Sequence, residues 1–341
     1  MLCLKVPKKV GEKVRNKLLE EDLLYKEGKI DSSKDGRFLF LPLKNISEER
    51  IEDFDHEVVE REVEERERVD RDYTALVDLP EELKEYLPSS YDVIGDIAII
   101  KLPREIEDHK EKIGKAILDT HKSLVTVLED EGVEGKFRIR NVKHLAGEKK
   151  TVTVHREYGA EFEVDVSEVY FSPRLATERW RVVKKVREEE VIFDMFAGVG
   201  PYTVLIGRNA DVEHIHSVDL NPTAVEYLKR NVKRNRLEEL VSVYEADARD
   251  VAPTITCDRI IMNLPHSSEE FIRPALKALD DEGVIHYYEI VEEGERENRL
   301  EELLGVIKKE GFEVQVSEKR EVRTYSATQV QMVYDLELEK F

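Results

Sequence analysis

The chain has 341 residues, of which 38% are charged and 40% hydrophobic, and its formal net charge is −21. This length allows two or three domains with a substantial core, and no apolar run is long enough to cross a bilayer. The acidic balance argues against a general affinity for nucleic acid, because neutralising phosphates requires cations. Two distant cysteines indicate neither a disulfide framework nor a zinc site. We expect a cytoplasmic, monomeric protein with no membrane segment and no bound metal.

Residues 1–65 are predicted to form a small N-terminal α/β domain. Hydrophobic periodicity predicts its main elements in chain order, a strand at Leu2–Val6, a helix at Lys8–Leu24, and strands at Phe38–Leu43 and Glu57–Val63. Ser47 is placed to cap a further short helix. The acidic stretch Glu64–Asp72 favours a linker, although a helical extension also fits its composition.

Residues 73–165 are predicted to form a second, middle α/β domain. Helices are expected at Leu79–Leu87 and Glu105–His121, and a strand at Tyr91–Leu102. Four further strand candidates follow the second helix, at Val125–Leu128, Phe137–Val142, Thr151–Arg156 and Ala160–Val166.

From residue 166 to residue 341, strands and helices alternate in the manner of a parallel sheet. The predicted strands are Val191–Phe196, His214–Asp219, Val241–Tyr244, Arg259–Met262, Gly283–Tyr288, Phe312–Ser317 and Gln329–Leu336. This series resembles the class I, or Rossmann-like, methyltransferase fold, in which the last of seven strands is inserted antiparallel. The predicted fold class is therefore α/β, a class I methyltransferase domain preceded by two smaller α/β domains.

A glycine-rich turn, Ala197–Pro201, connects the first of these strands to a helix. Gly198 and Gly200 let the backbone turn tightly and approach a ligand without a Cβ clash, and Pro201 suits the first turn of the helix. A strand–turn–helix unit of this kind places a ligand at the carboxyl edge of the sheet. The glycine spacing does not match the dinucleotide fingerprint G-x-G-x-x-G, which disfavours a nicotinamide oxidoreductase.

Acidic residues follow three successive strands. Asp194 ends the first strand, and Asp219 ends the second, where a carboxylate can accept both hydroxyl hydrogens of a ribose. Asp247 follows the third strand, where a carboxylate can accept an adenine amino hydrogen. A helix cap or a surface charge explains any one of these acids alone, but three in this arrangement favour a ligand. The predicted S-adenosylmethionine site comprises Asp194, Phe196, Gly198, Gly200, Asp219, Asp247 and Asn263.

The triplet Asn263-Leu264-Pro265 stands at the end of the fourth strand. An amide oxygen, together with carbonyls fixed by the proline, can hold a substrate N–H group so that it faces a sulfonium methyl. A strand simply ended by proline is the alternative interpretation.

Several segments together resemble the archaeal tRNA (guanine-N1)-methyltransferases, which modify position 37, next to the anticodon. In chain order they are Phe137–Arg140, His144–Glu148, Val169–Leu175, Glu178–Arg179, Asp194–Pro201, Met262–Pro265 and Val284–Tyr288. The resemblance covers nearly the whole chain, including the small N-terminal domain. It implies S-adenosylmethionine as the methyl donor and tRNA as the partner, with the N-terminal domain at the outer corner of the L-shaped molecule.

The resemblance also assigns roles to individual residues. Glu178 matches the general base of the family, and Arg138 matches the arginine that contacts guanine O6. The remaining matches are to positions that hold the target base or line the site and steady the RNA, namely Asn263, Pro265, Tyr170 and Arg174.

The chemistry of guanine makes a carboxylate beside a cation a sensible pair. N1 carries a proton and is a poor nucleophile, and removal of that proton sends negative charge onto O6, so Glu178 needs a partner such as Arg138. Without the resemblance, Glu178 also fits a helix acid paired with a nearby arginine. The target base must leave the stack of the anticodon loop, and Tyr170 is an aromatic residue that can stack on it.

Alternatives remain open for the basic residues and for the function. Basic residues cluster within Lys8–Lys17, Lys136–Lys150, Arg179–Arg187 and Lys229–Arg236, where they form either phosphate contacts or ordinary solvated faces. One alternative function is methyl or aminocarboxypropyl transfer in the synthesis of wyosine-type bases at the same tRNA position. The triplet Asn263-Leu264-Pro265 fits the guanine-N1 enzymes better than it fits this alternative. Another is a non-catalytic RNA-binding module, against which the intact glycine loop argues.

Overall fold

The computed structural model describes residues 1–21, 23–44, 57–64 and 72–341. The chain divides into two compact units, Met1–Arg71 and Asp72–Phe341, each with hydrophobic clusters of its own. No helix within the described ranges is long and apolar enough to cross a membrane.

Within its described residues, the first unit is a four-stranded antiparallel sheet with one α-helix. Its elements are β1 (Leu2–Pro7), α1 (Gly11–Glu20), β2 (Asp31–Ser32), β3 (Phe38–Pro42) and β4 (Glu57–Glu60), and the strand order is β2-β3-β1-β4. The three predicted strands are confirmed. The predicted helix end at Leu24 is wrong, because the amides of Leu23 and Leu24 turn back to the carbonyl of Leu18 and Leu24 bridges to Leu43. The helix predicted after Ser47 and most of the predicted linker lie outside the described residues.

The second unit begins with a mixed four-stranded sheet of order β5-β6-β7-β8. Its elements are α2 (Glu81–Lys84), β5 (Asp92–Ile94), β6 (Ile97–Ile100), α3 (Lys110–Thr120), β7 (Thr126–Glu134) and β8 (Ile139–Gly147). The single strand predicted at Tyr91–Leu102 is wrong, because the chain reverses at Gly95, whose φ of +57° suits glycine. Two short antiparallel strands result, with Asp92 opposite Ile99.

A separate hairpin follows, made of β9 (Val152–Glu157) and β10 (Ala160–Asp165). Its two-residue turn has positive φ at both Tyr158 and Gly159, which matches the right-handed twist of the strands. The Tyr158 ring stacks on Trp180 with ring centres 4.4 Å apart. These contacts fix the hairpin against the helix that carries Glu178.

A seven-stranded sheet forms the rest of the unit, in the order β13-β12-β11-β14-β15-β17-β16. Its strands are β11 (Val191–Asp194), β12 (His214–Asp219), β13 (Val241–Glu245), β14 (Cys257–Met262), β15 (Leu279–Glu292), β16 (Phe312–Thr324) and β17 (Gln329–Lys340). The pairs among β11 to β15 are parallel, whereas β17 pairs antiparallel with both β15 and β16. The predicted class I methyltransferase fold, with its antiparallel last strand, is confirmed.

Helices cover both faces of this sheet. They are α4 (Ala176–Val183), α5 (Pro201–Asn209), α6 (Pro222–Arg234), α7 (Ala248–Val251), α8 (Ile272–Ala278) and α9 (Arg296–Lys309). Residues of α4, α5 and α6 pack with Ile192 and Tyr288 in one cluster, and residues of α7, α8 and α9 pack with Phe193 and Tyr287 in the other. Neighbouring residues of β11 and β15 therefore point to opposite faces, as strand geometry requires.

Candidate active site

The four predicted polar residues at strand ends lie along one edge of the sheet. Asp194 and Asp219 are the last residues of β11 and β12, Asp247 follows β13 by two positions, and Asn263 follows β14 directly. Because these four strands are parallel neighbours, their carboxyl ends meet at the same edge. The fold thus brings together residues that are up to 69 positions apart in the sequence.

The glycine loop is held against Asp219. The Gly198 amide donates a hydrogen bond of 2.7 Å to one carboxylate oxygen of Asp219, and the Asn221 amide donates one of 2.8 Å to the other. Gly198 has a φ of +56°, and nothing lies within 4 Å of the point where a Cβ would stand. The loop therefore leaves open space beside a carboxylate, as an approaching ligand requires.

Asp194 is a buried carboxyl at the start of this loop. Its Oδ2 accepts a hydrogen bond of 2.8 Å from the Thr203 hydroxyl, whereas its buried Oδ1 has no hydrogen-bond partner among the described residues. Burial raises the pKa of Asp194 to about 7, and burial also raises the pKa of Asp219. Among the described residues, no cation is close enough to either carboxyl to hold it in the charged form.

Asp247 is engaged with a cation. It caps α7, and its two carboxylate oxygens accept hydrogen bonds of 2.9 and 2.6 Å from the Arg249 guanidinium. The hydrogen bond from Arg249 is the main reason that the pKa of Asp247 is lowered. A carboxylate has about four acceptor positions, so Asp247 can still accept an adenine amino hydrogen.

These residues fit S-adenosylmethionine. The open space at Gly198, the half-buried carboxylate of Asp219 and the unpartnered Oδ1 of Asp194 offer acceptors to a ligand rich in hydroxyl and ammonium donors. Phe196 is half-buried and packs edge-on against Phe271, with ring centres 4.9 Å apart, which gives the site an apolar wall.

Glu178 lies in the first turn of α4 with its side chain only 3% exposed. Its Oε1 accepts hydrogen bonds of 2.7 Å from the Tyr288 hydroxyl and 2.7 Å from Arg181. Its Oε2 has weaker contacts, 3.0 Å to Nε of Arg181 and 3.4 Å to Arg320. Oε2 therefore keeps the greater capacity to accept a further hydrogen.

Arg138 lies in the turn between β7 and β8 with a φ of +54°. Its guanidinium donates to the Tyr325 hydroxyl at 3.4 Å, and the Tyr325 hydroxyl lies 3.3 Å from Nε2 of His266. His266 directly follows the Asn263-Leu264-Pro265 triplet. The structure thus brings Arg138 to the edge of the sheet where that triplet stands.

The other predicted substrate contacts occupy varied surroundings. The Asn263 amide is half-buried and has no hydrogen-bond partner within the described ranges, and the Pro265 carbonyl accepts a bond of 3.0 Å from the Ile290 amide. Tyr170 is half-buried. Arg174 donates a bond of 2.6 Å to Asp92, although its side chain stays 59% exposed.

Several residues around Glu178 escaped the sequence analysis. Tyr288, Arg181 and Arg320 touch it directly, and Tyr325 touches Arg138. The tyrosine at position 288 belongs to a segment that carried the family resemblance but received no role. Arg181 comes from the basic stretch Arg179–Arg187, whose solvated or buried state the sequence leaves undecided, whereas Arg320 lies outside the basic stretches identified from the sequence.

Three family models match consecutive parts of the chain. The TRM5/TYW2 methyltransferase domain matches residues 153–316, the TYW2 N-terminal domain matches residues 74–151, and the tRNA methyltransferase 5 N-terminal domain matches residues 3–52. The three matched ranges do not overlap, and together they cover most of the chain.

Relatives match over the same regions. The tRNA (guanine(37)-N(1))-methyltransferase Trm5b of Pyrococcus abyssi is 41% identical over 98% of this chain and 98% of its own. The tRNA(Phe) (4-demethylwyosine(37)-C(7)) aminocarboxypropyltransferase of Methanocaldococcus jannaschii is 33% identical over 73% of this chain and 98% of its own. A solved complex of aTrm5 with tRNALeu is 36% identical, with a TM-score of 0.69 over 99% of both chains. The similarity to the guanine-N1 enzymes therefore extends over a quarter of the chain that the aminocarboxypropyltransferase leaves unmatched.

Proposed function

This chain belongs to the Trm5 family of tRNA (guanine(37)-N(1))-methyltransferases, and we propose that Glu178 is its catalytic base. It is an enzyme that transfers the methyl group of S-adenosylmethionine to N1 of guanosine 37 in tRNA. The observation that carries the assignment of Glu178 is a buried link between the cofactor loop and this carboxylate. Tyr202, two residues after Gly200, donates to the Tyr288 hydroxyl at 3.1 Å, and Tyr288 donates to Glu178.

The cofactor is held by the edge of the sheet. Asp219 accepts the ribose hydroxyl hydrogens, Asp247 accepts from the adenine amino group, and the space at Gly198 admits the ligand next to the backbone. When bound, S-adenosylmethionine supplies an electrophilic methyl group on a sulfonium sulfur. The residues of the chain have to present a nucleophile to it and exclude water.

Glu178 takes the proton from N1 of the target guanine. Its Oε2, the oxygen with the weaker contacts, accepts the N1 hydrogen, and the electron pair left on the base spreads onto N1 and O6. N1 then forms the new bond to the methyl carbon, while the carbon–sulfur bond breaks with its electron pair going to sulfur. The proton leaves Glu178 for water after product release.

Arg138 stabilises the charge that develops on O6. Its guanidinium cannot lose its proton at physiological pH, and a cation aimed at the place where charge appears lowers the barrier. Asn263 and Pro265 hold the base edge, since the Asn263 amide is free of other partners within the described ranges. Tyr170 lines the site, and Arg174 steadies the RNA from its exposed position beside Asp92.

The tRNA approaches a protein that is acidic overall but cationic at this edge. Arg320 and Arg323 on β16, together with Lys136 and Arg138 of the β7–β8 turn, place positive charge around the entrance. Residues 1–65 form a domain that contacts the outer corner of the tRNA, residues 73–165 form a middle RNA-binding domain, and residues 166–341 form the catalytic domain. The enzyme acts as a monomer in the cytoplasm.

The test replaces Glu178 by Gln, which keeps the shape of the side chain and removes the base. We expect a single-turnover rate of m1G formation that is about 10² to 10⁴ times lower, with tRNA affinity changed by less than about threefold. Transcripts with guanosine or adenosine at position 37, digested and analysed by mass spectrometry, establish the modified position. Full activity of the Gln variant would exclude Glu178 as the base.

The same assay separates methylation from the wyosine-type alternative. Label in the methyl group of the cofactor enters the tRNA only if methyl is transferred, whereas label in the aminocarboxypropyl chain enters only if that chain is transferred. We expect methyl label alone, on an unmodified transcript that carries guanosine 37.

A further inference from the structure

The segment His286-Tyr287-Tyr288 of β15 has so far been given no catalytic role, although Tyr288 bonds to Glu178 and all three side chains are buried. Tyr287 packs on the face of the sheet covered by α7, α8 and α9, whereas Tyr288 packs on the face covered by α4, α5 and α6. His286 lies on the same face as Tyr288, because residues two apart in a strand point the same way. Two polar side chains of β15 thus lie beneath the helix of Glu178.

The directions of the hydrogen bonds at Tyr288 follow from its partners. An ionised carboxylate can only accept, so the Tyr288 hydroxyl donates its hydrogen to Oε1 of Glu178 across 2.7 Å. The Tyr202 hydroxyl, 3.1 Å away, then donates to the Tyr288 oxygen. This arrangement fixes the position of Oε1.

A second chain of contacts reaches Glu178 from His286. Arg259 donates to Nε2 of His286 at 2.9 Å and cannot accept, so the imidazole hydrogen is on Nδ1, which donates to Asp335 at 2.7 Å. Asp335 in turn accepts a hydrogen bond of 3.0 Å from Arg181, and Arg181 donates to Oε1 of Glu178 at 2.7 Å. The guanidinium is therefore fixed between two carboxylates.

We propose that Tyr288 and Arg181 are positioning residues that hold the Glu178 carboxylate in place, so that Oε2 faces the guanine. This inference rests on the proposed role of Glu178. Neither residue touches the substrate. Tyr288 binds Oε1, and the shortest bond from Arg181 also goes to Oε1, at 2.7 Å against 3.0 Å to Oε2, which leaves Oε2 the freer oxygen for proton transfer.

Charged and titratable groups surround Glu178 on every element packed against it. They are Arg181 and Lys185 of α4, Tyr202 of α5, His286 and Tyr288 of β15, Glu318 and Arg320 of β16, and Asp335 of β17. Burial opposes the charge of Arg181, but hydrogen bonds with Glu178 and Asp335 outweigh it and raise the pKa of Arg181. Burial raises the pKa of Tyr288 well above its usual range, so its hydroxyl keeps its hydrogen at neutral pH.

The experiment measures single-turnover methyl transfer to a tRNA transcript from about pH 5 to pH 9 for Tyr288→Phe and Arg181→Lys. Because both residues act through the proposed base, we expect each substitution to change the pH–rate profile as well as the rate. At neutral pH we expect Tyr288→Phe to be about tenfold slower, with tRNA and cofactor affinities changed by less than about twofold. Arg181→Lys retains a charge but loses the forked geometry, and we expect it to be impaired at least as strongly.

Tyr287→Phe is the matched control, because it removes a buried hydroxyl from the neighbouring residue on the opposite face of β15. We expect its pH profile to match that of the parent enzyme. Thermal unfolding of each variant, with and without cofactor, establishes that the protein is folded in the assay.

A double-mutant cycle with Glu178→Gln gives the decisive comparison. If Tyr288 acts through Glu178, Tyr288→Phe slows the parent enzyme about tenfold but leaves the already slow Gln variant almost unchanged. An equal slowing in both backgrounds, or an unchanged pH–rate profile, overturns the positioning role. Full activity of Glu178→Gln alone is a different outcome, since it removes the proposed base itself.

Discussion

Arg138 and Tyr325 are 187 positions apart in the chain, and the arginine donates a hydrogen bond of 3.4 Å to the tyrosine hydroxyl. The contact joins the β7–β8 turn to the tip of the β16–β17 hairpin, since Tyr325 directly follows β16. Coulombic effects of Arg138 and Arg323 add to burial in lowering the pKa of the neighbouring His266. His266 is consequently neutral near pH 7, so its Nε2 can accept the hydrogen of the Tyr325 hydroxyl.

Replacing Arg138 by Lys tests its role at O6. The lysine keeps the charge but loses the planar fork of donors, so we expect the single-turnover rate to fall about 10²-fold, as when one donor of an oxyanion hole is removed. Lys149→Met, which removes an exposed charge just beyond β8, is the control and should leave the rate unchanged. A loss confined to tRNA affinity, with an unchanged rate at saturation, would assign Arg138 to RNA binding alone.

The two glycines of the cofactor loop are expected to respond differently to alanine. At Gly200 the φ is +85° and a Cβ would stand 2.4 Å from buried Leu228, so Gly200→Ala should destabilise the fold by about 1 to 3 kcal/mol. At Gly198 the new methyl enters open space, so Gly198→Ala should cost only about 1 kcal/mol of stability. Its cofactor affinity should nevertheless fall about tenfold or more, because the methyl occupies the space for the ligand.

Denaturant unfolding and calorimetric titration with the cofactor measure the two effects. Equal loss of stability in both variants, or normal cofactor binding by Gly198→Ala, would contradict the proposal that the cofactor occupies the open space beside Gly198.

Asp194 should make cofactor binding depend on pH. Its pKa of about 7 means that the carboxyl of the free protein is protonated below that pH. A bound ligand with positive charge favours the carboxylate, so binding below about pH 7 releases a proton. Cofactor affinity should therefore rise with pH up to about pH 7, at most about tenfold for each pH unit, and stay constant at higher pH.

Calorimetry in buffers of different ionisation enthalpy counts the released protons. Asp194→Asn is the control, and its affinity should be flat across the same range. If that variant keeps the slope, the titrating group is Asp219, whose pKa is also raised by burial.

Removing the N-terminal unit should separate tRNA discrimination from cofactor binding. A chain that begins at Asp72 retains the hydrophobic clusters of the second unit, so we expect unchanged cofactor affinity. We expect weaker discrimination between an intact tRNA and an isolated anticodon stem-loop, measured as the ratio of the two single-turnover rates. Loss of cofactor binding would show that the first unit supports the catalytic fold.

The sequence predicted the parts of the fold that local patterns encode. Every strand of the seven-stranded sheet was expected near its observed place, because each carries either a run or an alternation of apolar residues. Boundaries were less accurate: β15 starts at Leu279 rather than Gly283, and β16 continues to Thr324 rather than Ser317. The residues added to β16 are polar except Val322, and most of them pair with β17, so hydrogen bonding and not hydrophobicity extends this strand. The added part of β15 begins at the buried Leu279, which pairs with Cys257 of β14.

The sequence predicted the site residues that directly follow strands. It did not predict the contacts between residues that are distant in the chain and come together only in the folded protein. Asp194, Asp219 and Asn263 could be assigned from position because a strand end specifies an edge. The partners of Glu178 could not, since Tyr288 and Arg320 come from strands more than a hundred positions away. The sequence shows that Asp247 and Arg249 are close in the chain, but it does not predict that their side chains form a hydrogen-bonded pair. That geometry arises because Asp247 caps α7.

The backbone at Arg138 has one further consequence. A φ of +54° costs any residue other than glycine about 1 kcal/mol. The turn would therefore be more stable with glycine in place of Arg138. Glycine at this position would relieve the backbone and remove the cation from O6 at once. Selection for heat resistance and selection for methyl transfer therefore act in opposite directions on this residue. A library of variants sorted only for stability would be expected to discard the arginine, and with it the activity.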